Sequence, residues 1–217
     1  KNGLIIENNQ LIKKDILIHD GIIADISDFI APECADIIYN FENNYVFPGF
    51  TDVHVHLREP GFLYKETIET GTNASARGGY TTVCSMPNLV PSPDSLENIA
   101  PQLDAIKNTA VIDVYPFGTI TKGSMGEKLS DMKEIADFVC GFSDDGKGVQ
   151  SPEMMEKAML EAKKLGKIIS AHCEDNMLLH GGYIHDGEYA RTHGHKGICS
   201  ESEWGPIKRD LELVRKT

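Results

Sequence analysis

The stretch Phe50-Thr51-Asp52-Val53-His54-Val55-His56-Leu57-Arg58-Glu59-Pro60-Gly61 decides what fold the chain can adopt. It reads as an apolar strand running out into a polar loop. Val46, Phe47, Phe50, Val53 and Val55 supply β-branched and aromatic content, and Glu59-Pro60-Gly61 stops the run. His54 and His56 stand at alternate positions, so on a strand both point to one face. Two imidazoles so placed can hold one metal ion; without an ion they would be half-buried hydrogen-bonding side chains. The same alternation puts Arg58 on that side, one step nearer the loop. The pattern predicts a metal site with a fixed cation beside it, at the C-terminal end of a strand.

Before this strand, residues 1 to about 47 read as short strands. Leu4-Ile5-Ile6, Asp15 to Ile18, Gly21 to Ile26 and Asp36 to Tyr39 are Ile-rich and broken by Asn8-Asn9, Asp20-Gly21 and Pro32. Asp20-Gly21 is a hairpin signal. No helix covers these strands, so they should form part of a small sheet that needs further strands, and His19 beside the turn should be exposed.

After it, the texture is alternating helix and strand, which implies parallel βα units. Helical character over Lys65–Arg77 ends at Gly78-Gly79. The strand Tyr80–Ser85 then terminates at Met86-Pro87-Asn88. A weaker helix over Leu96–Asn108, a strand over Ala110–Phe117 and a helix over Lys128–Asp137 follow. The strand Phe138–Phe142 runs into Ser143-Asp144-Asp145-Gly146. The best-marked helix begins at Ser151-Pro152-Glu153, carries Met155, Ala158, Met159, Ala162 and Leu165 at helical spacing, and closes at Gly166. That Met stripe reads as core. Lys167–Ala171 is a buried strand ending at His172-Cys173-Glu174-Asp175. Residues 176–200 read as a long functional loop, and a last helix starts near Ser202 and runs to Thr217.

Five successive strands with polar residues gathered at their ends predict a TIM-like (β/α)8 barrel, in which chemistry sits at the C-terminal strand ends. A closed barrel needs eight strands and about 250 residues, so 217 residues leave it about three units short. The expected division is a β-sandwich part over 1–47 and the N-terminal portion of the barrel over 48–217.

Composition narrows the function. The net charge of −12, from 21 basic and 33 acidic residues, argues against nucleic acid and sets up no basic membrane patch. No apolar run is long enough to span a bilayer, and the opening residues carry no signal-peptide pattern. Cys34, Cys84, Cys140, Cys173 and Cys199 are scattered without C-x-x-C spacing, which suggests reduced thiols in a cytoplasm, serving as small core filler.

The stretch Phe47 to Gly61, followed by Gly78-Gly79-Tyr80-Thr81-Thr82-Val83-Cys84-Ser85-Met86-Pro87-Asn88, resembles the dihydroorotases of the amidohydrolase superfamily. Phe142-Ser143-Asp144-Asp145-Gly146 and Ala171-His172-Cys173-Glu174-Asp175 fit the same family in the same order. His-x-His alone marks the superfamily; Arg58 and Met86-Pro87-Asn88 point to dihydroorotase. The resemblance implies a binuclear zinc site, with His54 and His56 on the first ion, Asp145 bridging, and His172 on the second. Spacing alone does not choose between Asp144 and Asp145; the family pattern uses the second acid. Many relatives bridge the metals with a carboxylated lysine, but the nearest lysine here is Lys147, in the loop.

The implied reaction is the reversible interconversion of N-carbamoyl-L-aspartate and L-dihydroorotate in pyrimidine biosynthesis, by hydroxide shared between two zinc ions attacking the ring amide. Zinc can lower the pKa of bound water from about 15.7 toward about 7. Arg58 and Asn88 would bind the substrate carboxylate, Arg58 through a two-pronged donor. The family's further metal histidine and its catalytic aspartate, which also serves as proton shuttle, would lie beyond Thr217, so this stretch alone is not expected to turn over substrate. A homo-oligomer (a dimer) and association with aspartate transcarbamoylase are the partners implied. Allantoinase- or dihydropyrimidinase-type cyclic amidases share the metal site, and a non-catalytic partner of aspartate transcarbamoylase would lack its ligands. The histidines at 180, 185, 193 and 195 lie in a Gly-rich polar stretch and read as exposed loop residues.

Overall fold

The Ile-rich opening of the chain pairs as a three-stranded antiparallel sheet of β1 (Gly3–Glu7), β2 (Gln10–His19) and β3 (Ile22–Ser27), in that order. Both connections are two-residue turns with positive φ: Asn8-Asn9 at 49° and 61°, and Asp20-Gly21 at 49° and 75°. Turns of that hand match the twist of the strands they join, and Asn, Asp and Gly tolerate the conformation. The computed structural model describes residues 1–217, which form two compact units, Lys1–Gly49 and Phe50–Thr217.

In the first unit, the expected strand at Asp36–Tyr39 is absent. Pro32 opens a short 3-10 turn, and the chain then reaches the free edge of β1 only through separate bonds, such as Leu4 N–H to Asn44 C=O and Val46 N–H to Leu4 C=O, both 2.9 Å. Ile18, Ile22, Ile23 and Ile26 stay exposed on β2 and β3, and His19 lies beside the turn with Asp20 3.5 Å away. Asp15 is the buried polar anchor. Its carboxylate accepts from Ile30 N–H (3.0 Å) and Asn2 N–H (2.9 Å) and pairs with Lys1 at 3.0 Å. These donors, the Ile30 amide foremost, hold its carboxyl well below the usual carboxylate range. The depressed folded-state pKa means that this contribution is present above the ordinary carboxylate value of about 4 and is lost as pH falls below it. Asp15→Asn is therefore expected to flatten the acid dependence of amide hydrogen exchange across β1–β3. An unchanged acid limb would contradict this anchor.

The second unit is built on a five-stranded sheet whose neighbouring strands are all parallel. Its strands are β4 (Phe50–Val55), β5 (Tyr80–Ser85), β6 (Asp113–Gly118), β7 (Gly141–Phe142) and β8 (Ile168–Ile169), ordered as in sequence. The intervening helices are α1 (Ile68–Arg77), α2 (Leu96–Thr109), the single turn α3 (Met132–Ile135) and α4 (Pro152–Lys164). Helix starts follow the capping residues. Thr67 and Thr70 form a reciprocal capping box on α1, and Ser95 and Ser151 accept from Asn98 N–H and Met154 N–H. Strand-by-strand parallel order with helical connections makes this an α/β half-barrel sheet.

Two apolar clusters hold the helices to it. Leu57, Ile68, Val83 and Val114 form one. Phe142, Ile135, Met155, Ala158 and Ala162 belong to the other, with Met159 and Leu165 packed against it, so the Met stripe of α4 is core. Each large side chain so buried contributes about 1.5–3 kcal/mol. None of the cysteines is fully buried: Cys34 is exposed and the rest are half-buried. Burial pushes the Cys140 thiol up to about 12, with Cys84 adding to the effect.

Residues 176–200 are not a featureless loop. They hold β9 (Ile184–His185), α5 (Glu188–His193) and β10 (Gly197–Ile198), with β9 and β10 parallel. α6 (Glu201–Lys216) follows, capped at Thr217. No helix is long and apolar enough to cross a membrane.

Candidate metal centre

The C-terminal ends of β4, β5, β7 and β8 place their polar residues around one carboxylate. His54 lies on β4 and His56 one residue past its end, with ring centroids 5.2 Å apart and planes at 74°. Asp145 follows β7 and is almost fully buried. Its Oδ1 stands 3.6 Å from His54 Nε2 and 3.7 Å from His172 Nδ1, and its Oδ2 stands 3.7 Å from His56 Nε2. His54, His56 and Asp145 present ligand atoms that all lie within 4.8 Å of one another. The His172 imidazole beside it, with His56 and His54 adding, holds the Asp145 carboxyl below the usual range; the carboxylate in turn raises the His172 pKa.

The His–Asp separations test whether an ion fits. At 3.6–3.7 Å they are too long for hydrogen bonds. Two ligands each about 2.0–2.1 Å from one tetrahedral zinc stand about 3.3–3.4 Å apart. Adjustments of a few tenths of an ångström would bring these side chains to ligand spacing. Imidazole nitrogen and carboxylate oxygen also suit zinc chemically. The residues present therefore fit a zinc centre.

The adjacent acids at the turn after β7 have opposite fates, and Asp144 C=O opens that turn by accepting from Lys147 N–H (3.1 Å) and Gly148 N–H (2.9 Å). Asp144 turns into the loop after β6, where its carboxylate accepts from Ile120 N–H (2.8 Å), Thr121 N–H (3.1 Å) and the Thr121 hydroxyl. Burial raises its pKa. Asp145 alone of the two faces the imidazoles. Lys147 Nζ donates to Gly123 C=O at 3.3 Å, so no lysine stands at the centre.

Asn88, in the loop after β5, accepts from His56 Nδ1 at 3.0 Å and donates to Asp145 Oδ2 at 2.9 Å. Arg58 is half-buried and has a φ of 59°, so the strand alternation expected to align it with His54 and His56 ends before it. It pairs with no carboxylate, whereas the neighbouring Glu59 accepts from Ile68 N–H at 2.9 Å.

Two participants escaped the sequence reading. Glu174 Oε2 stands 3.6 Å from His172 Nε2, so His172 lies between two carboxylates; an acid two residues past a strand-end histidine was the available signal. Gly148 has φ +68°, and a Cβ there would meet His172 C=O at 2.5 Å. Only glycine suits that backbone and that approach. Gly148→Ala is expected to displace His172 and weaken zinc retention by at least about 10-fold, by analogy with lost ligand support. Equal zinc affinity in a competition titration would refute this.

The remaining histidines stay outside the cluster and are exposed, as expected for loop residues. His185 Nε2 meets Ser200 Oγ at 3.0 Å, His195 Nδ1 meets Tyr183 Oη at 2.7 Å, and His193 stacks on Tyr189 with centroids 4.1 Å apart.

Fold and site together define an α/β protein with a parallel half-barrel sheet and a metal-competent His/Asp cluster at the C-terminal ends of its strands. The chain belongs to the dihydro-orotase-like family, whose model matches residues 43–216. It is 50% identical over 214 residues to a dihydroorotase of Fusobacterium nucleatum, covering 99% of this chain and 50% of the relative. It is 45% identical over 215 residues to a dihydroorotase of Staphylococcus aureus strain Mu50, covering 99% and 51%. The chain thus spans about half the length of the curated relatives it matches. Among solved structures, L-hydantoinase (dihydropyrimidinase) from Arthrobacter aurescens superposes with a TM-score of 0.76 at 20% identity, over 100% of this chain and 50% of that one, a likeness of fold alone.

Proposed function

We propose that the chain forms the N-terminal part of a zinc-dependent dihydroorotase. In this reading, residues 48–217 belong to a complete (β/α)8 barrel and residues 1–47 to a β-sandwich, in a cytoplasmic dimer able to associate with aspartate transcarbamoylase. The observation that carries the catalytic part is the ring of three imidazole nitrogens at 3.6–3.7 Å around the Asp145 carboxylate. The relatives' name supplies the reaction class.

His54, His56, Asp145 and His172 would hold two zinc ions. When bound, the zinc would supply a neutral-pH nucleophile from water and polarise the carbonyl under attack. The chain's own residues do the rest. Arg58 offers a planar, two-pronged donor to the substrate carboxylate, a geometry that a lysine cannot supply. Asn88 keeps one of its two amide N–H donors free after bonding Asp145, and can offer it to the same substrate. The overall reaction adds one water across the ring C–N bond of dihydroorotate to give N-carbamoyl-L-aspartate, and closure releases that water.

The test is turnover by the full-length zinc-loaded protein. Dihydroorotate and N-carbamoyl-L-aspartate are expected to interconvert, while hydantoin and dihydrouracil, which lack the carboxylate, are not. Preference for the uncharged rings would replace this reading with a dihydropyrimidinase-type one.

A further inference from the structure

We infer that Asn88 is a positioning residue of the metal centre: it selects the tautomer of His56 and orients the Asp145 carboxylate, beyond any contact it makes with substrate. This rests on the functional reading above and assigns a second task to a residue of that site.

The side-chain amide of Asn88 spans the two groups. Its Nδ2 lies 2.9 Å from Asp145 Oδ2 and its Oδ1 lies 3.0 Å from His56 Nδ1. A carboxylate only accepts, so the NH2 end must face Asp145. The carbonyl end then faces His56, and a carbonyl oxygen also only accepts. His56 must therefore carry its proton on Nδ1. The lone pair is left on Nε2, the nitrogen that stands 3.7 Å from Asp145 Oδ2 and points into the cluster. The chain of donors fixes which imidazole nitrogen can act as a ligand before any ion arrives. A metal-ligating histidine commonly gives its other ring N–H to such a partner, which sets ring orientation and basicity.

Asn88 is itself held in place. Met86 N–H bonds Val55 C=O at 2.9 Å, next to His56, and Leu89 N–H bonds Pro87 C=O at 2.8 Å. Met86, Pro87 and Leu89 around it are buried. The loop after β5 therefore works as a rigid strut between the histidine end of β4 and the acid end of β7.

The experiment uses the full-length protein and zinc alone as probe. Asn88→Ala is expected to weaken zinc affinity in a chelator competition by roughly 10–100-fold, the usual effect of losing such support. If the unaltered protein binds zinc and Asn88→Ala binds it equally, with only KM raised, Asn88 is a substrate contact alone and the inference is overturned. If the unaltered protein binds no zinc at the centre, the functional reading fails and takes the inference with it. A measurement independent of the variant's folding is the histidine ¹⁵N spectrum of the metal-free protein at about pH 8, above the ordinary imidazole range. His56 is expected to be protonated on Nδ1, and protonation on Nε2 would overturn the inference.

Discussion

Replacing Asp145 with alanine is expected to abolish turnover in the full-length protein and to release zinc from the centre. Asp145 is the one side chain that faces all three imidazoles, through Oδ1 for His54 and His172 and through Oδ2 for His56. Zinc sites bind with about 10–16 kcal/mol spread over four ligands, so one ligand represents about 2.5–4 kcal/mol, roughly a 10²–10³-fold change in affinity. The loss should exceed that value, because Asp145 supplies the only negative charge among these four residues. Asp145→Asn keeps the shape and removes the charge, so it separates the electrostatic part from the packing part. Metal content by elemental analysis and affinity by chelator competition are the readouts. Asp144→Ala should not mimic the effect on bound zinc directly; its carboxylate secures the Ile120–Thr121 loop, so its loss is expected in stability first.

The second large effect is expected at Arg58. Arg58→Ala should cost dihydroorotate turnover roughly 10–150-fold in kcat/KM for each charge-assisted bond lost, at about 1.5–3 kcal/mol per bond. The loss should appear mainly in KM, because the carboxylate is bound equally in substrate and transition state. Zinc content should not change, which distinguishes this variant from Asp145→Ala. Arg58→Lys restores the charge without the fork and is expected to recover only part of the activity. A trivial loss in Arg58→Ala would point to an uncharged ring as the substrate.

Much of this arrangement was legible in the chain itself. The parallel order β4 to β8 followed from alternating apolar strands and helices, and the helix starts from Thr67, Ser95 and Ser151. His54, His56 and His172 are each marked by standing at a strand end, whereas position marks only the pair Asp144-Asp145 and the family pattern picks the second acid. What sequence could not supply were matters of direction and distance. Strands expected over Phe138–Phe142 and Lys167–Ala171 pair over only two residues each, Gly141–Phe142 and Ile168–Ile169, because pairing depends on neighbours and not on local propensity. The run Asp36–Tyr39 has strand composition but no ladder partner. Which of Asp144 and Asp145 faces the imidazoles is tied to distant partners, Ile120 and Thr121 binding Asp144, which no local pattern marks. The bridging bonds of Asn88 join residues 32 and 57 positions away, beyond any local pattern.

The central assignment is tested most directly by zinc-edge anomalous scattering from crystals of the full-length protein. Two peaks are expected beside the Asp145 carboxylate, with the nitrogens of His54, His56 and His172 about 2.0–2.2 Å from them. Zinc located elsewhere in crystals grown with the ion, with these four side chains turned away from one another, would contradict it.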